Sequence, residues 1–281
     1  MNIQKILQCD SKRLEVALIH APSTARIEVQ ILLQSVLQVN RAYLLTHPER
    51  ILNADEHARY GALFERRLSG EPIAYLLGVR EFYGLDFKVT PATLIPRPDT
   101  ELLVELALQR IPQQGGCRVL DMGTGSGAIA LAIARERPDA VVVALDASEA
   151  ALIVARENAQ RLNIGNVRLL HSDWFSALAG ERFDLIVSNP PYIEADDIHL
   201  SQGDVRFEPL TALASGADGL DDIRRILHEA QSHLHSGGWL MFEHGYDQSA
   251  RVRQLMRQAG FSDVSSACDL AGIERVTVGR A

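Results

Sequence analysis

Apolar residues recur at three- and four-residue intervals through the first seventy positions. Ala25, Val29, Leu32, Leu33 and Val36 form one such stripe, the spacing that lines up side chains on one face of an α-helix. Ser23 or Thr24 is available as its N-cap, since a hydroxyl there can accept from an unpaired backbone N–H. Tyr60, Leu63, Phe64 and Leu68 repeat the stripe, and Gly70 follows as a stop, because glycine readily takes the left-handed conformation that ends helices. Short polar, proline or glycine breaks separate these segments. The pattern predicts a small helical bundle.

At Val79 the periodicity changes. Phe82-Tyr83, Gly84 and Leu85 to Val89 read as strand, turn and strand. The two prolines of Leu94-Ile95-Pro96-Arg97-Pro98 cannot continue a helix, so this stretch is a connection, and a helix starts at Asp99 or Thr100 and runs to about Arg110. Beyond Gly116 strands and helices alternate. Strands are expected at Val119–Asp121, Ala140–Leu145, Val167–Leu170, Leu185–Val187 and Trp239–Phe242; helices from Ala128, from a Ser148 cap to about Leu162, over Leu220–Leu234 and over Ser249–Ala259. Ala140–Leu145 is almost wholly apolar, as a strand covered on both faces should be. This order implies an α/β fold with an open, mostly parallel sheet and helices on both faces. Val264 and Arg275–Val278 close the chain as strands without an intervening helix, which suggests one antiparallel edge strand.

Composition narrows the class. Of 281 residues 47% are hydrophobic and 23% charged, ordinary for a globular protein with room for one large and one small domain. No apolar run reaches bilayer length, and Met1-Asn2-Ile3-Gln4-Lys5 lacks a signal-peptide layout, so a cytoplasmic protein with no membrane partner is expected. Residues 1–88 hold 11 of the 28 basic and 10 of the 36 acidic residues, a balance of +1, so the remainder carries −9 of the chain's −8 total. A surface tracking a phosphate backbone needs the opposite sign, and no direct nucleic-acid partner is expected. Cys9, Cys117 and Cys268 form no CxxC pair, and His20, His47, His171 and His244 show no ligand spacing. The cysteines read as buried, inert thiols, the histidines as surface or packing residues, and no metal is expected.

The first chemical signal is Asp121-Met122-Gly123-Thr124-Gly125-Ser126-Gly127, a strand ending in a carboxylate followed by a turn of alternate glycines. Glycines belong where a backbone bends tightly and a ligand approaches without a Cβ in the way. Gly123-x-Gly125-x-x-Ala128 also satisfies a dinucleotide fingerprint, so this turn fits a methyltransferase, a nicotinamide enzyme or a bare structural turn. Asp146 ends the next strand, where a carboxylate can accept from both hydroxyls of an adenosine ribose or simply cap a helix. Asp173-Trp174 follows the third strand and can face an adenine, the Trp ring packing on it, though Trp174 also suits plain core.

Asn189-Pro190-Pro191-Tyr192, at the end of the Phe183–Ser188 strand, separates these readings. A conjugated NH2 group is a poor nucleophile, because its lone pair is delocalised. It must be held with that lone pair on the transfer axis while its hydrogens are accepted. The Asn189 side-chain oxygen and the Pro190 carbonyl can each take one N–H at roughly 2.9 Å. The prolines pre-aim both oxygens, so no reorganisation accompanies reaction, and Tyr192 can lie on the flat face of the group. A nicotinamide enzyme has no use for this device. Methyl transfer from S-adenosylmethionine to a planar nitrogen is the function expected.

Together these residues resemble the release factor glutamine methyltransferase family. The resemblance covers nearly the whole chain. It includes Leu94-Ile95-Pro96-Arg97-Pro98-Asp99-Thr100-Glu101, the glycine turn with Asp146, Asn189–Tyr192, Phe207-Glu208-Pro209 with Ala212-Leu213, and Gly219-Leu220-Asp221. Asp99 departs from the Glu of many members but keeps the charge. The family implies a helical substrate-recognition domain (1–78), a β-hairpin linker (79–98) and a seven-stranded, Rossmann-like methyltransferase domain (99–281). It implies S-adenosylmethionine as cofactor, held by Gly123, Thr124, Gly125, Ser126, Gly127, Asp146, Trp174 and Asn189, to which the reading of the residues adds Asp173 at the adenine and Asp121 toward the methionine ammonium. It further implies Asn189, Pro190, Pro191 and Tyr192 as the glutamine site, with Asn189, Pro190 and Tyr192 catalytic. Class 1 peptide chain release factors would be the protein substrate, methylated at N5 of the glutamine in their Gly-Gly-Gln loop. A ribosomal-protein glutamine methyltransferase and a DNA adenine N6-methyltransferase share this chemistry. The Pro96–Glu101 string leans toward release factors, and the acidic catalytic part against DNA. Arg97, Glu101 and Glu208 are open between bracing the site and satisfying local turns.

Overall fold

The structure, a computed structural model, describes residues 1–281 and divides into two compact units: Met1–Gly78 with Ser201–Phe207, and Val79–Leu200 with Glu208–Ala281. The first unit is helical, with α1 (Ile3–Leu18), α2 (Pro22–Leu37), α3 (Arg41–Thr46), α4 (Ala54–Leu68) and α5 (Ile73–Leu77). The predicted stripe of α2 is its core face: Ala25, Val29, Leu32 and Leu33 are wholly buried, and Phe64 of α4 packs in the same cluster. Each such large side chain contributes roughly 1.5–3 kcal/mol. The N-terminus of α2 differs from expectation. Pro22 occupies the first turn and Ala21 is the cap without a side-chain bond, so Ser23 and Thr24 lie inside the helix. Proline's fixed φ and missing N–H suit that first turn. At α4, Asn53 and Glu56 form a reciprocal capping box, and Gly70 follows the helix at φ +99°. Arg67 is fully buried and donates to Glu28 (2.8 Å), Asp204 (2.9 Å) and the carbonyls of Gly70 and Glu71, so its charge is paired and its N–H groups are used.

The second unit opens with a hairpin, β1 (Val79–Phe82) and β2 (Leu85–Lys88), whose Phe82 and Phe87 join the core beneath the main sheet. A single 3₁₀ turn (Pro98–Thr100) leads into α6 (Glu101–Leu108). The sheet comprises β3 (Arg118–Met122), β4 (Val141–Asp146), β5 (Val167–His171), β6 (Phe183–Ser188), β7 (Leu234–Glu243), β8 (Ser262–Cys268) and β9 (Glu274–Arg280). Between them run α7 (Ala128–Glu136), α8 (Glu149–Arg161), α9 (Asp221–Ala230) and α10 (Ser249–Gln258). The order is β5-β4-β3-β6-β7-β9-β8. Alternate strand residues face opposite cores: Val142 and Ala144 pack with α6 and α7, Val143 and Leu145 with α9 and α10. Burial on both faces explains the unbroken apolar runs.

Two details differ from the sequence reading. The antiparallel strand is β9, which pairs with β7 on one side and β8 on the other, so it lies inside the sheet and β8 forms the edge. With no helix to carry the chain across, β8 and β9 can join only as a hairpin, and the chain crosses over before β8 instead. Likewise Leu234 is not helical: α9 ends at Ala230, a 3₁₀ turn follows, and Leu234 already pairs with Phe183 in β7. The cysteines also divide. Cys117 is buried, but Cys9 and Cys268 are exposed, Cys9 on the outer side of α1 and Cys268 at the end of the edge strand. No helix is long and apolar enough to cross a membrane.

Candidate active site

Strand order reverses between β3 and β6, whose neighbours β4 and β7 lie outward on either side. Loops leaving the carboxyl ends of such strands diverge there and open a crevice. A cavity of about 480 Å³ occupies this place, within the roughly 300–1,000 Å³ range of small-molecule sites. Gly123, Gly125, Asp146, Asp173, Trp174, Asn189 and Pro191 line it, joined by Ala92–Leu94 and Arg225. Asp121, Thr124, Ser126, Gly127, Pro190 and Tyr192 are adjacent in sequence to that lining but not part of it.

Each glycine of the turn has its own task. Gly123 (φ +72°) and Thr124 both donate to the Leu145 carbonyl at 2.9 Å, and Gly125 (φ +56°) donates to Asp146 Oδ2 at 2.9 Å. These conformations would strain any side chain. Gly127 is a packing glycine, because a Cβ there would stand 3.0 Å from Leu131 Cδ1 and 3.3 Å from Ala155 Cβ. Behind the turn, Asp121 is wholly buried; its Oδ2 accepts from the Thr124 hydroxyl (2.6 Å) and the Ala130 N–H (3.2 Å). Its Oδ1 has no partner. Burial pushes this carboxyl up to about 7 against the pull of those two donors. The Ser126 carbonyl accepts from buried Asn158, which also clasps Lys88 of the hairpin.

Asp146 accepts from Gly125 with one oxygen and from Ser148 N–H (2.8 Å) with the other. Burial raises its pKa while those donors hold it back. Ser148 caps α8 through Ala151, so the cap is a separate residue and Asp146 lines the cavity. Trp174 takes φ +48°, a conformation costly for a bulky residue, and the Ser172 hydroxyl donates to its carbonyl at 2.6 Å. Exposed Asp173 pairs with Arg225 of α9 at 3.0 Å.

The Asn189–Tyr192 segment is held from several sides. Ser188 Oγ donates to the Met122 carbonyl (2.8 Å), tying the ends of β6 and β3 together. Tyr192 and Ile193 N–H groups donate to the Leu213 carbonyl at 3.1 and 2.9 Å, and Gln248 Nε2 donates to the Tyr192 carbonyl at 2.9 Å. Gly219 (φ +71°) passes so close that a Cβ would lie 2.2 Å from that carbonyl. Asn189 Nδ2 donates to Thr100 Oγ1 at 3.2 Å, which points the amide oxygen away from Thr100. Beside them Glu243, ending β7, is 3% exposed. Burial pushes its carboxyl up to about 7, opposed by hydrogen bonding from Thr100 and Asn189 and by the Arg275 charge, while Asp99 adds to the rise. Tyr192 is likewise pushed up by burial and by Glu243.

Thr100, Glu243, Asn158 and Gln248 were not singled out from sequence. Glu243 carried a usable signal, a carboxylate at the end of a strand like Asp121 and Asp146; the others act across separations that sequence does not show. Arg97 and buried Glu208 pair with each other, and Glu208 accepts from the Ile95 N–H (3.1 Å), fixing the segment beside the cavity wall at Ala92–Leu94. Glu101 instead accepts from Tyr83 N–H (3.0 Å) at the hairpin turn.

A Rossmann-like sheet, a glycine turn, a carboxylate ending the second strand and Asn-Pro-Pro-Tyr ending the fourth define a methyltransferase that acts on a planar nitrogen. Residues 99–205 match the methyltransferase small domain family, and residues 8–78 the PrmC N-terminal domain family. The chain is 51% identical over 265 residues to the release factor glutamine methyltransferase of Escherichia coli K12, covering 94% of this chain and 95% of that one. It is 48% identical to the Vibrio cholerae protein of the same name, covering 100% and 97%. A T. thermophilus 16S rRNA methyltransferase solved with AdoMet and guanosine shares the fold, with a TM-score of 0.53 at 22% identity over 72% of this chain and 49% of that one. The chain belongs to the release factor glutamine methyltransferase family.

Proposed function

We propose that this chain transfers a methyl group from S-adenosylmethionine to the side-chain amide nitrogen of the glutamine in the Gly-Gly-Gln loop of class 1 release factors. The observation that carries the reading is the orientation of Asn189: its Nδ2 is committed to Thr100, so Oδ1 is the atom left for an acceptor N–H, in a residue that lines the cavity. The chain's residues fit the donor. Asp146 sets a carboxylate in the cavity wall where ribose hydroxyls can be met, Gly123 and Gly125 leave room for close approach, and Asp121 keeps one buried oxygen unpaired behind the turn, suited to an ammonium group reached through it. Trp174 and Asp173 face the adenine end, with Thr124, Ser126 and Gly127 shaping the turn.

When bound, the donor supplies an electrophilic methyl group on sulfonium sulfur. Asn189 Oδ1 and the Pro190 carbonyl take the two N–H groups of the glutamine amide, turning its lone pair toward that methyl, while Pro191 and Tyr192 shape the slot for the flat group. No side chain need act as base, because an N-methylated amide is strongly acidic while it carries the positive charge and releases its proton to water. The helical unit grips the release factor outside the loop, and cytoplasm is the compartment where such a substrate is met.

Labelled methyl transfer from S-adenosylmethionine to a purified release factor, to ribosomal proteins and to duplex DNA tests the assignment. Label is expected on the release factor. Label on DNA or ribosomal protein with none on the release factor would overturn it.

A further inference from the structure

Asn189 can present either end of its amide to the cavity, since oxygen and nitrogen have nearly the same shape and only hydrogen bonds distinguish them. In the structure its nitrogen meets Thr100 Oγ1, but a hydroxyl both donates and accepts, so that bond holds the orientation only while Thr100 acts as acceptor. Glu243 supplies that condition. An ionised carboxylate only accepts. Parallel pairing sets Ser188 of β6 opposite Phe242 of β7, so Glu243 follows alongside Asn189; a Thr100 hydroxyl that turns its single hydrogen to that carboxylate has only lone pairs left for Asn189, which then answers with N–H. In that arrangement the polarity runs one way: Asn189 N–H donates to the Thr100 oxygen, and the Thr100 hydrogen is left for Glu243.

We propose that Glu243 is a positioning residue, acting with Thr100 to hold the Asn189 amide oxygen toward the cavity and to exclude the flipped amide. The inference rests on the reading that Asn189 Oδ1 receives a substrate N–H. Three elements converge on the group: Asp99 and Thr100 ahead of α6, Asn189 and Tyr192 after β6, and Arg275 at the start of β9. Glu243 Oε2 is buried without a partner, a costly arrangement to retain for packing alone. The negative charge behind the amide also polarises it, leaving more electron density on the oxygen that must accept as the substrate nitrogen turns positive. Protonated, Glu243 becomes a donor and can support the flipped amide, whose NH2 would then face the substrate NH2. Activity through this device is therefore present above the Glu243 pKa of about 7 and lost below it.

Kinetics on the full chain, with S-adenosylmethionine and a purified release factor, test the inference. E243Q keeps the side-chain shape but adds an NH2 that can donate to Asn189. Its kcat is expected to fall about 10- to 100-fold with both KM values nearly unchanged, on the scale of losing one pre-aimed polar group. The rise of the wild-type kcat through about pH 7 should be absent from the variant. T100V should show the same loss and T100S should recover most of the activity, which keeps the test open if E243Q folds poorly. An E243Q enzyme with wild-type kcat and pH profile, or one altered only in melting temperature, overturns the inference; so does T100V with unchanged kcat. A wild-type enzyme that does not methylate the release factor overturns this inference and the site reading together, whereas normal wild-type turnover with an indifferent E243Q removes only this one.

Discussion

Asn189 and Asp146 line one crevice from strands on either side of β3, and single substitutions should separate the two roles proposed for them. Asn189 carries its amide oxygen opposite the nitrogen that donates to Thr100. In Asn189→Ala that oxygen is gone and the reacting NH2 loses one of two acceptors. Turnover should drop by roughly 10²–10³, the scale of removing one pre-aimed group from an oxyanion hole, while calorimetry finds donor affinity little changed. Near-normal turnover would remove Asn189 from the mechanism. Asp146 already accepts from Gly125 and Ser148 and keeps further lone pairs toward the cavity. Asp146→Ala should weaken S-adenosylmethionine binding, measured by the same calorimetry, far more than it slows turnover at saturating donor.

At the level of elements, the segment after β6 is aimed by what presses on it from behind. Gly219 lies against the Tyr192 carbonyl, and Gln248 donates to that same oxygen. Gly219→Ala would put a side chain at positive φ and into backbone, so a loss of at least about 2 kcal/mol in urea unfolding is expected, with turnover falling further than donor binding. Such bracing explains which parts of the site could be read from sequence. The glycine turn, Asp146 and Asn189–Tyr192 are contiguous and sit at strand ends, so alternation of strands and helices located them. Thr100 and Glu243 come from a turn before α6 and the end of β7, and only the sheet order brings them to Asn189. The place of β9 inside the sheet was hidden for a like reason: the lack of a crossover helix reveals an antiparallel strand but not which of two hairpin strands takes the edge. Pro22 against Ser23 at the start of α2 was a choice between two sound helix starts, settled by the fixed φ of proline.

For the whole molecule, two buried acids set stability and activity against each other. Asp121 and Glu243 have folded-state values near 7, above the ordinary 3.8 and 4.5. The folded protein therefore holds extra protons over that interval, and the stabilisation present below the ordinary values is lost as pH rises through about 7. The melting temperature of the ligand-free enzyme should fall from about pH 5 to about pH 8, and Asp121→Asn and Glu243→Gln should each flatten the fall. In the helical unit, Arg67→Ala strips the paired cation from Glu28 and Asp204. A buried ion pair broken from one side typically costs about 3–5 kcal/mol, although half-exposed Asp204 shares that cost with water. Melting of the helical unit should fall with turnover of the protein substrate while donor binding by the sheet unit persists. The most direct test of the central claim is tandem mass spectrometry of a release factor after incubation with this enzyme and S-adenosylmethionine. A single methyl group on the side-chain nitrogen of the Gly-Gly-Gln glutamine, absent with Asn189→Ala, is the predicted result; a methyl on any other atom, or an equal yield from the variant, contradicts it.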